Sequence, residues 1–350
     1  MPALATIIAQ ASPGAVQQAK STLSAGGLVA FPTETVYGLG ADATNDSAVA
    51  KLYAAKQRPS FNPLIAHVAD LAAACRLAQF DAEALELAEA FWPGPLTLVL
   101  PKLHGCPVGQ LATAGLDTIA VRVPNHPVAR EILAAFGKPV VAPSANRSGR
   151  VSPTSAQHVQ ADLAGRIALI VDGGASPLGL ESTILACVGR TTLLRPGAIP
   201  RATVERLLGR EIDIAMAADA AAGGEGRPVA PGMLASHYAP RAALRMNAVT
   251  VAPGEALLAF GPTLPHDAGN ALTILNLSGH GELVEAAANL FNYLRLLDGS
   301  GVSSIAVMPI PDEELGEAIN DRLRHAAAPR HPRGSTAHGE PSTLRPGITA

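Results

Sequence analysis

The chain has 350 residues, enough for two domains at about 100–200 residues each, and 26 Lys and Arg against 29 Asp and Glu give a net charge of −3. With 48% hydrophobic and 16% charged residues it is neither a disordered chain nor a generally basic nucleic-acid coat, and 3% aromatics disfavour base stacking as its main working surface. Three dispersed cysteines, Cys75, Cys106 and Cys187, form no C-x-x-C pair, so neither a disulfide framework nor a structural zinc is indicated, and a reducing cytoplasm fits best.

The first nineteen residues carry no Lys or Arg and are interrupted by Pro13-Gly14, which argues against a secretory signal. No apolar run reaches the ~18 residues of a membrane span, so a soluble protein without membrane contact is expected. Strands are predicted over Leu28–Phe31, Pro63–Val68, Leu96–Leu100, Thr118–Val123, Pro139–Ala142 and Ile167–Val171. Amphipathic helices fall between them over Ser47–Ala55, Ala82–Phe91, Pro127–Phe136 and Thr154–Leu163. Ser182–Ala186 and Thr192–Leu194 are strands with no helix between them, so part of the sheet is antiparallel.

An Ala-, Gly- and Asp-rich stretch reads as a linker that runs on to His237-Tyr238-Ala239-Pro240. Strands at Ala256–Phe260, Leu272–Leu275 and Ile305–Met308 follow. A helix carries Leu283, Ala287, Leu290, Leu294 and Leu297 on one stripe, and another spans Glu313–His325. The expected organisation is an α/β catalytic domain over 1–210 with a twisted mixed sheet, a linker or lid over 211–243, a smaller Rossmann-like α/β domain over 244–326, and a disordered tail over 327–350.

Chemistry-bearing residues cluster at strand ends. Phe31-Pro-Thr-Glu-Thr-Val-Tyr-Gly-Leu-Gly40 crowds two hydroxyls, a carboxylate and a phenol into a predicted turn, suited to a ligand rim or to capping neighbouring backbone. Gly38-Leu39-Gly40-Ala41-Asp42-Ala43 fits G-x-G-x-x-A formally. Lys56, Arg58 and Pro59 occupy the region where a dinucleotide fold needs its acidic residue, which disfavours a nicotinamide dehydrogenase. Lys56 and Arg58 lie in an exposed connection ahead of Asn62-Pro63, and His67 can point inward from the next strand. Thr118 and Arg122 share a strand face, and a guanidinium in Thr-Ile-Ala-Val-Arg-Val needs an anionic partner, either a structural carboxylate or a ligand. Pro143-Ser-Ala-Asn-Arg-Ser-Gly149, Glu181-Ser-Thr183 and Leu194-Arg-Pro-Gly197 repeat the theme. There is no G-x-x-x-x-G-K-[ST], no G-x-S-x-G and no H-E-x-x-H. Cations, hydroxyls and amides with few carboxylates suit an anionic substrate held by position and electrostatics rather than attacked by a nucleophile.

In order and spacing these segments, with Pro93-Gly-Pro-Leu-Thr-Leu-Val-Leu100 and the linker's Pro231-Gly-Met-x-x-x-His237-Tyr238-x-Pro240, resemble the threonylcarbamoyl-AMP synthase (YrdC-like) family in its longer two-domain form. The resemblance covers about two hundred residues of the first domain and is looser in the second, apart from Ala318-Ile-Asn-Asp-Arg-Leu323; Ala230 stands where the linker commonly has Ser. It implies synthesis of threonylcarbamoyl-AMP and pyrophosphate from L-threonine, bicarbonate and ATP, with Mg2+ accompanying ATP. The product serves a downstream tRNA threonylcarbamoyl transferase complex, and direct tRNA contact is possible without being required.

By the same resemblance Thr35, His67, Arg122 and Ser182 surround threonine. Lys56, Arg58, Asn62, Thr118, Ala142, Ser144, Ser152 and Arg195 hold ATP, and Tyr238 folds back over the nucleotide as part of a lid. It implies no covalent nucleophile and no metal ligand from the chain; Lys56 and Arg58 are the candidates for electrostatic assistance. Two alternatives stay open: a double-stranded RNA or tRNA-binding module of the same fold without adenylate synthesis, opposed by the net charge, and a carbamoyl-transfer domain of hydrogenase maturation, opposed by the lack of acylphosphatase-like and zinc-finger segments.

Overall fold

The computed structural model describes residues 4–215 and 238–329. The linker motif up to His237, and the tail beyond residue 329, lie outside the described residues. In the first domain the order is β1 (Ile7–Gln10), α1 (Pro13–Ser24), β2 (Val29–Pro32), β3 (Tyr37–Asp42), α2 (Asp46–Lys56), β4 (Ile65–His67), α3 (Leu71–Cys75), α4 (Ala82–Phe91) and β5 (Leu96–Pro101). It continues with β6 (Thr118–Arg122), α5 (Pro127–Phe136), β7 (Val140–Val141), α6 (Ala156–Leu163), β8 (Leu169–Asp172), β9 (Thr183–Val188), β10 (Arg190–Arg195), α7 (Arg201–Leu208) and β11 (Asp213–Ile214).

Helix starts follow local capping chemistry: side-chain oxygens of Ser12, Asn45, Asp81 and Ser155 accept first-turn N–H groups of α1, α2, α4 and α6. The strands form one eleven-stranded sheet in the order β1-β8-β2-β3-β7-β4-β6-β5-β9-β10-β11. Pairings are mixed. β4 and β6 are parallel and so are β5 and β9, whereas β5–β6, β9–β10 and β2–β3 are antiparallel.

The Phe31–Gly40 segment differs from its sequence reading. Only Thr33 to Val36 turn; Tyr37–Asp42 is a fully buried strand pairing antiparallel with β2. Gly38 and Gly40 are spacing residues there rather than turn residues, since a Cβ on Gly40 would sit 2.7 Å from the Phe31 ring. The edge strand β1, helix α1 and helix α7 also escaped the sequence reading.

The second domain is a parallel four-stranded sheet in the order β12-β15-β13-β14, from β12 (Ala243–Arg245), β13 (Ala256–Ala259), β14 (Ile274–Asn276) and β15 (Ser304–Val307). Helices α8 (Leu283–Gly299) and α9 (Leu315–Ala327) pack against it through Leu290, Leu294, Leu297, Ile319 and Leu323. Val36, Val151 and Leu180 of the first domain belong to this same core cluster. Gly179, at φ 66°, lets its loop approach α8 so closely that a Cβ would lie 2.4 Å from the Ala287 carbonyl. The two domains therefore share an apolar seam.

Candidate active site

Strand alternation builds the site. On β4, β5, β6 and β9 one set of side chains, Ala66, Leu98, Ile119, Val121 and Leu185, enters the main core. The other set includes Ile65, Val99, Ala120 and Ile184, which form a small separate apolar cluster on the opposite sheet face. Polar residues two positions along the same strands frame that floor: His67 on β4, Thr97 on β5, Thr118 and Arg122 on β6, and Ser182 just before β9. Arg195 at the end of β10 pairs with Ile184.

Arg122, His67, Thr35 and Ser182 occupy one end of this face. His67 and Arg122 are register partners on adjacent parallel strands. Arg122 is buried and its guanidinium is held from three sides: Nη2 donates to Glu34 Oε1 at 2.5 Å and to Thr35 Oγ1 at 3.0 Å, and Nε donates to the Gly94 carbonyl at 3.3 Å. Glu34 accepts a second bond from the Asn125 N–H at 3.0 Å, and Thr33 and Thr35 share a 2.8 Å hydroxyl bond. The partner that Arg122 needs is therefore Glu34, which the sequence analysis did not place in the site. Burial, with the neighbouring Arg122 charge second, lowers His67 to about 3, so its ring is neutral. Its Nδ1 lies 3.1 Å from the Ile65 carbonyl, which fits the Nδ1–H tautomer and leaves Nε2 as an acceptor.

Ser182 shares a 2.8 Å hydroxyl bond with Thr97. Its carbonyl accepts Arg195 Nε and Nη2 at 3.2 and 2.9 Å, and its hydroxyl lies 3.2 Å from Arg195 Nη2. Arg195 is thereby locked to the residue beside it in space. Gly197 makes this possible, because any Cβ there would lie 2.4–2.6 Å from backbone atoms of Glu181, Ser182 and Thr183.

The other end of the face begins at Thr118, four residues from Arg122 and so ~13 Å away at about 3.3 Å per residue. Lys56 and Arg58 stand here, and neither is exposed as the sequence reading held: they are 1% and 9% accessible. The helix end carrying them turns inward. Lys56 Nζ donates to the carbonyls of Ser144 and, at 2.6 Å, Asn146; Arg58 Nη2 donates to the Pro63 carbonyl at 3.1 Å. Burial first, and mutual repulsion second, hold Lys56 well below its ordinary pKa, and burial brings Arg58 down to about 10. Arg195 is likewise lowered chiefly by burial. Among the described residues none of these three cations forms an ion pair with a carboxylate. Their direct hydrogen-bond partners are backbone carbonyls and, for Arg195, the Ser182 hydroxyl, an arrangement that an arriving polyanion would stabilise.

Asn62 is 1% accessible and neither its Nδ2 nor its Oδ1 has a hydrogen-bond partner. Buried unpaired amides are uncommon, and this one lies beside the cations. Ala142 and Ser144 line the neighbouring loop: the Leu39 N–H donates to the Pro143 carbonyl at 2.7 Å, and Gly38 bridges to Ser144. Ser152 donates to Glu181 Oε1 at 2.6 Å.

Tyr238 is buried within electrostatic reach of both Arg58 and Arg195. It adopts φ 60°, unusual for a bulky residue, stacked on Phe291 at 5.6 Å and with the Arg322 guanidinium 5.1 Å from its ring centre. Its charged surroundings include Glu181, Arg322 and Arg195. The next residue donates from its N–H to the Gly149 carbonyl at 2.9 Å, tying the chain to the Ser144–Ser152 loop.

Sequence reasoning missed Glu34, Thr97, Glu181 and Arg322 as members of the site. Arg322 carried a signal: it lies three residues from Ile319 and four from Ala318, on the apolar stripe of its helix, where an unpaired arginine has no place. Among the described residues no group of three or more His, Cys, Asp or Glu is arranged to hold a metal ion. No helix among them is long and apolar enough to cross a membrane.

An α/β fold whose sheet face carries the buried Arg122 with His67, Ser182 and Arg195 at one end and the buried cations Lys56 and Arg58 at the other has the chemistry to take anionic ligands. A family described as telomere recombination matches residues 21–197, and one described as the C-terminal domain of threonylcarbamoyl-AMP synthase matches 199–328. The threonylcarbamoyl-AMP synthase of Bacillus subtilis is 41% identical over 335 residues, covering 90% of this chain and 93% of its own. That of Pyrococcus abyssi is 41% identical over 325 residues, covering 87% and 92%. The crystal structure of a P. abyssi protein complexed with L-threonine superposes with a TM-score of 0.81 at 38% identity, covering 92% of this chain and 97% of that one. The chain belongs to the threonylcarbamoyl-AMP synthase family, in its two-domain form.

Proposed function

We infer that the protein makes threonylcarbamoyl-AMP and pyrophosphate from L-threonine, bicarbonate and ATP. The observation that carries this is one continuous sheet face bearing the Arg122 receptor, with the buried Arg195 beside Ser182 and, a strand's length from Arg122, the buried cations Lys56 and Arg58.

Threonine is held with its carboxylate on Arg122, whose Nη1 is not used by Glu34, Thr35 or Gly94, and with its polar groups toward Thr35, the His67 Nε2 acceptor and Ser182. The amine captures bicarbonate as a carbamate with loss of water. A carbamate oxygen then attacks the α-phosphorus, the bond to the β,γ-phosphates breaks, and pyrophosphate leaves. Lys56, Arg58 and Arg195 hold the triphosphate and stabilise its developing charge. Asn62, Thr118, Ala142, Ser144 and Ser152 orient the nucleotide, and Tyr238 covers it, keeping water from a hydrolysable mixed anhydride. Mg2+ would enter with ATP as part of the substrate and would help Lys56, Arg58 and Arg195 offset the phosphate charge. Positioning and electrostatics supply the rate, with no covalent enzyme intermediate.

The expected division of labour is a catalytic unit over 1–210, a closing segment over 211–243 and a supporting domain over 244–326. The product passes to a tRNA threonylcarbamoyl transferase complex. The test is pyrophosphate release by the purified protein that requires both threonine and bicarbonate; tight RNA binding with no such release would favour an RNA-binding module instead.

A further inference from the structure

The helix α9 of the second domain sends one side chain into the wall of the site. Arg322 is completely buried. Its Nε donates to Glu181 Oε2 at 2.7 Å, its Nη2 to the Pro196 carbonyl at 2.9 Å and its Nη1 to Asp321, and its face lies against Tyr238. Glu181 precedes Ser182, whose carbonyl holds Arg195, and Pro196 follows Arg195. The other oxygen of Glu181 holds Ser152. A single guanidinium thus braces the segments that carry Ser152, Ser182 and Arg195.

The charges make the arrangement more than a brace. Glu181 is a buried carboxylate within electrostatic reach of two guanidiniums, Arg322 and Arg195. It forms its ion pair with Arg322 and none with Arg195. A buried carboxylate must find a cation, so the choice of partner decides which arginine stays available. We propose that Arg322 is a positioning residue for nucleotide binding: by engaging Glu181 it keeps that carboxylate off Arg195, leaving the Arg195 guanidinium for the triphosphate. The electrostatic effect of the second domain then falls on Arg195 and not on Arg122, which Glu34 already serves. This rests on the reading of Arg195 as an ATP-binding residue.

The test is titration calorimetry of the full chain with ATP and, separately, with L-threonine, for wild type, Arg322→Met, Arg322→Lys and Arg322→Met/Glu181→Gln. In Arg322→Met the freed carboxylate neutralises Arg195, and ATP affinity falls by about tenfold or more while threonine affinity stays within about twofold. Adding Glu181→Gln removes the buried stray charge next to Ser182 yet keeps an acceptor for Ser152, while the part-exposed Asp321 stays beside His325, so ATP affinity returns to within about threefold of wild type. Arg322→Lys keeps a cation opposite Glu181 and is expected to lose no more than about threefold.

A merely structural Arg322 predicts the opposite for the double variant, which would be no better than the single one. That result, unchanged ATP affinity in Arg322→Met, or equal losses for both substrates, overturns the proposal. If Arg322→Met does not fold, Arg322→Gln with and without Glu181→Gln takes its place: a selective ATP defect cured by Glu181→Gln supports the proposal, and unchanged ATP affinity, an uncured defect or equal losses for both substrates overturn it. Threonine-dependent pyrophosphate release by wild type judges the enzymatic reading separately, since the titrations read binding without turnover.

Discussion

Arg122 and Glu34 form a buried ion pair at 2.5 Å across the end of β6 and the turn after β2, so the orientation of the guanidinium is fixed by the protein itself. Glu34 aims the guanidinium and leaves its remaining donors for a second carboxylate. Arg122→Ala is expected to weaken threonine binding by a charged hydrogen-bond pair worth roughly 1.5–3 kcal/mol, with ATP affinity kept. It should also destabilise the fold by about 3–5 kcal/mol, because Glu34 is left buried and unpaired. Urea unfolding of Arg122→Ala and Arg122→Ala/Glu34→Gln checks this; the account requires the double variant to be the more stable.

Arg58→Ala, at the other end of the face, and Arg195→Ala, beside Ser182, are expected to weaken ATP by about tenfold or more while sparing threonine. Each removes a buried, carbonyl-supported cation whose pKa burial already lowers, so neither leaves an orphaned carboxylate behind. Separate calorimetric titrations with the two substrates read the split. A loss confined to threonine in either variant contradicts the division of the face.

Truncation before Pro228 removes Tyr238, Arg295 and Arg322 together. Arg295 donates to the Val151 carbonyl at the 2.5 Å level and pairs with Asp162 at 2.7 Å, and Val36, Val151 and Leu180 lose their apolar cover. The fragment should fold on its own eleven-stranded sheet but turn over slowly and bind ATP weakly. Steady-state pyrophosphate release and circular dichroism check the two halves of the statement, and full activity in the fragment contradicts the lid.

Acid should destabilise the folded protein through two imidazoles. Burial lowers His67 to about 3 and His158 to about 4, against an unfolded value near 6.5. The unfolded state therefore binds more protons between these limits, so the neutral rings contribute their full stability above pH 6.5 and lose it as pH falls toward 3–4. For His67 alone the loss from pH 7.5 to pH 5 is about 2 kcal/mol. Urea unfolding at the two pH values measures it, and His67→Gln should flatten the dependence.

The legible parts of the molecule were those with strong local pattern. The short apolar runs of β5 and β6 and the stripe on α8 needed no tertiary information. Strand β3 hid behind Gly38 and Gly40, whose reason is the closeness of Phe31 and Ala142, a fact of packing rather than of local sequence. Lys56 and Arg58 looked exposed because cations at a helix end ordinarily are; carbonyls contributed by the 144–146 and 62–63 segments allow them to be buried. Glu34 sat in plain view within the Phe31–Gly40 segment, but only the tertiary packing of the β2–β3 turn against the end of β6 brings it to Arg122. Arg322 is some 140 positions from Glu181, beyond any local reading.

The most direct test of the central claim mixes purified protein with ATP, L-threonine and bicarbonate and follows pyrophosphate together with the mass of the nucleotide product. The account predicts pyrophosphate and threonylcarbamoyl-AMP in equal amounts, both vanishing when threonine or bicarbonate is withheld. Pyrophosphate released at the same rate without threonine, or none released by a protein that binds both substrates, would contradict it.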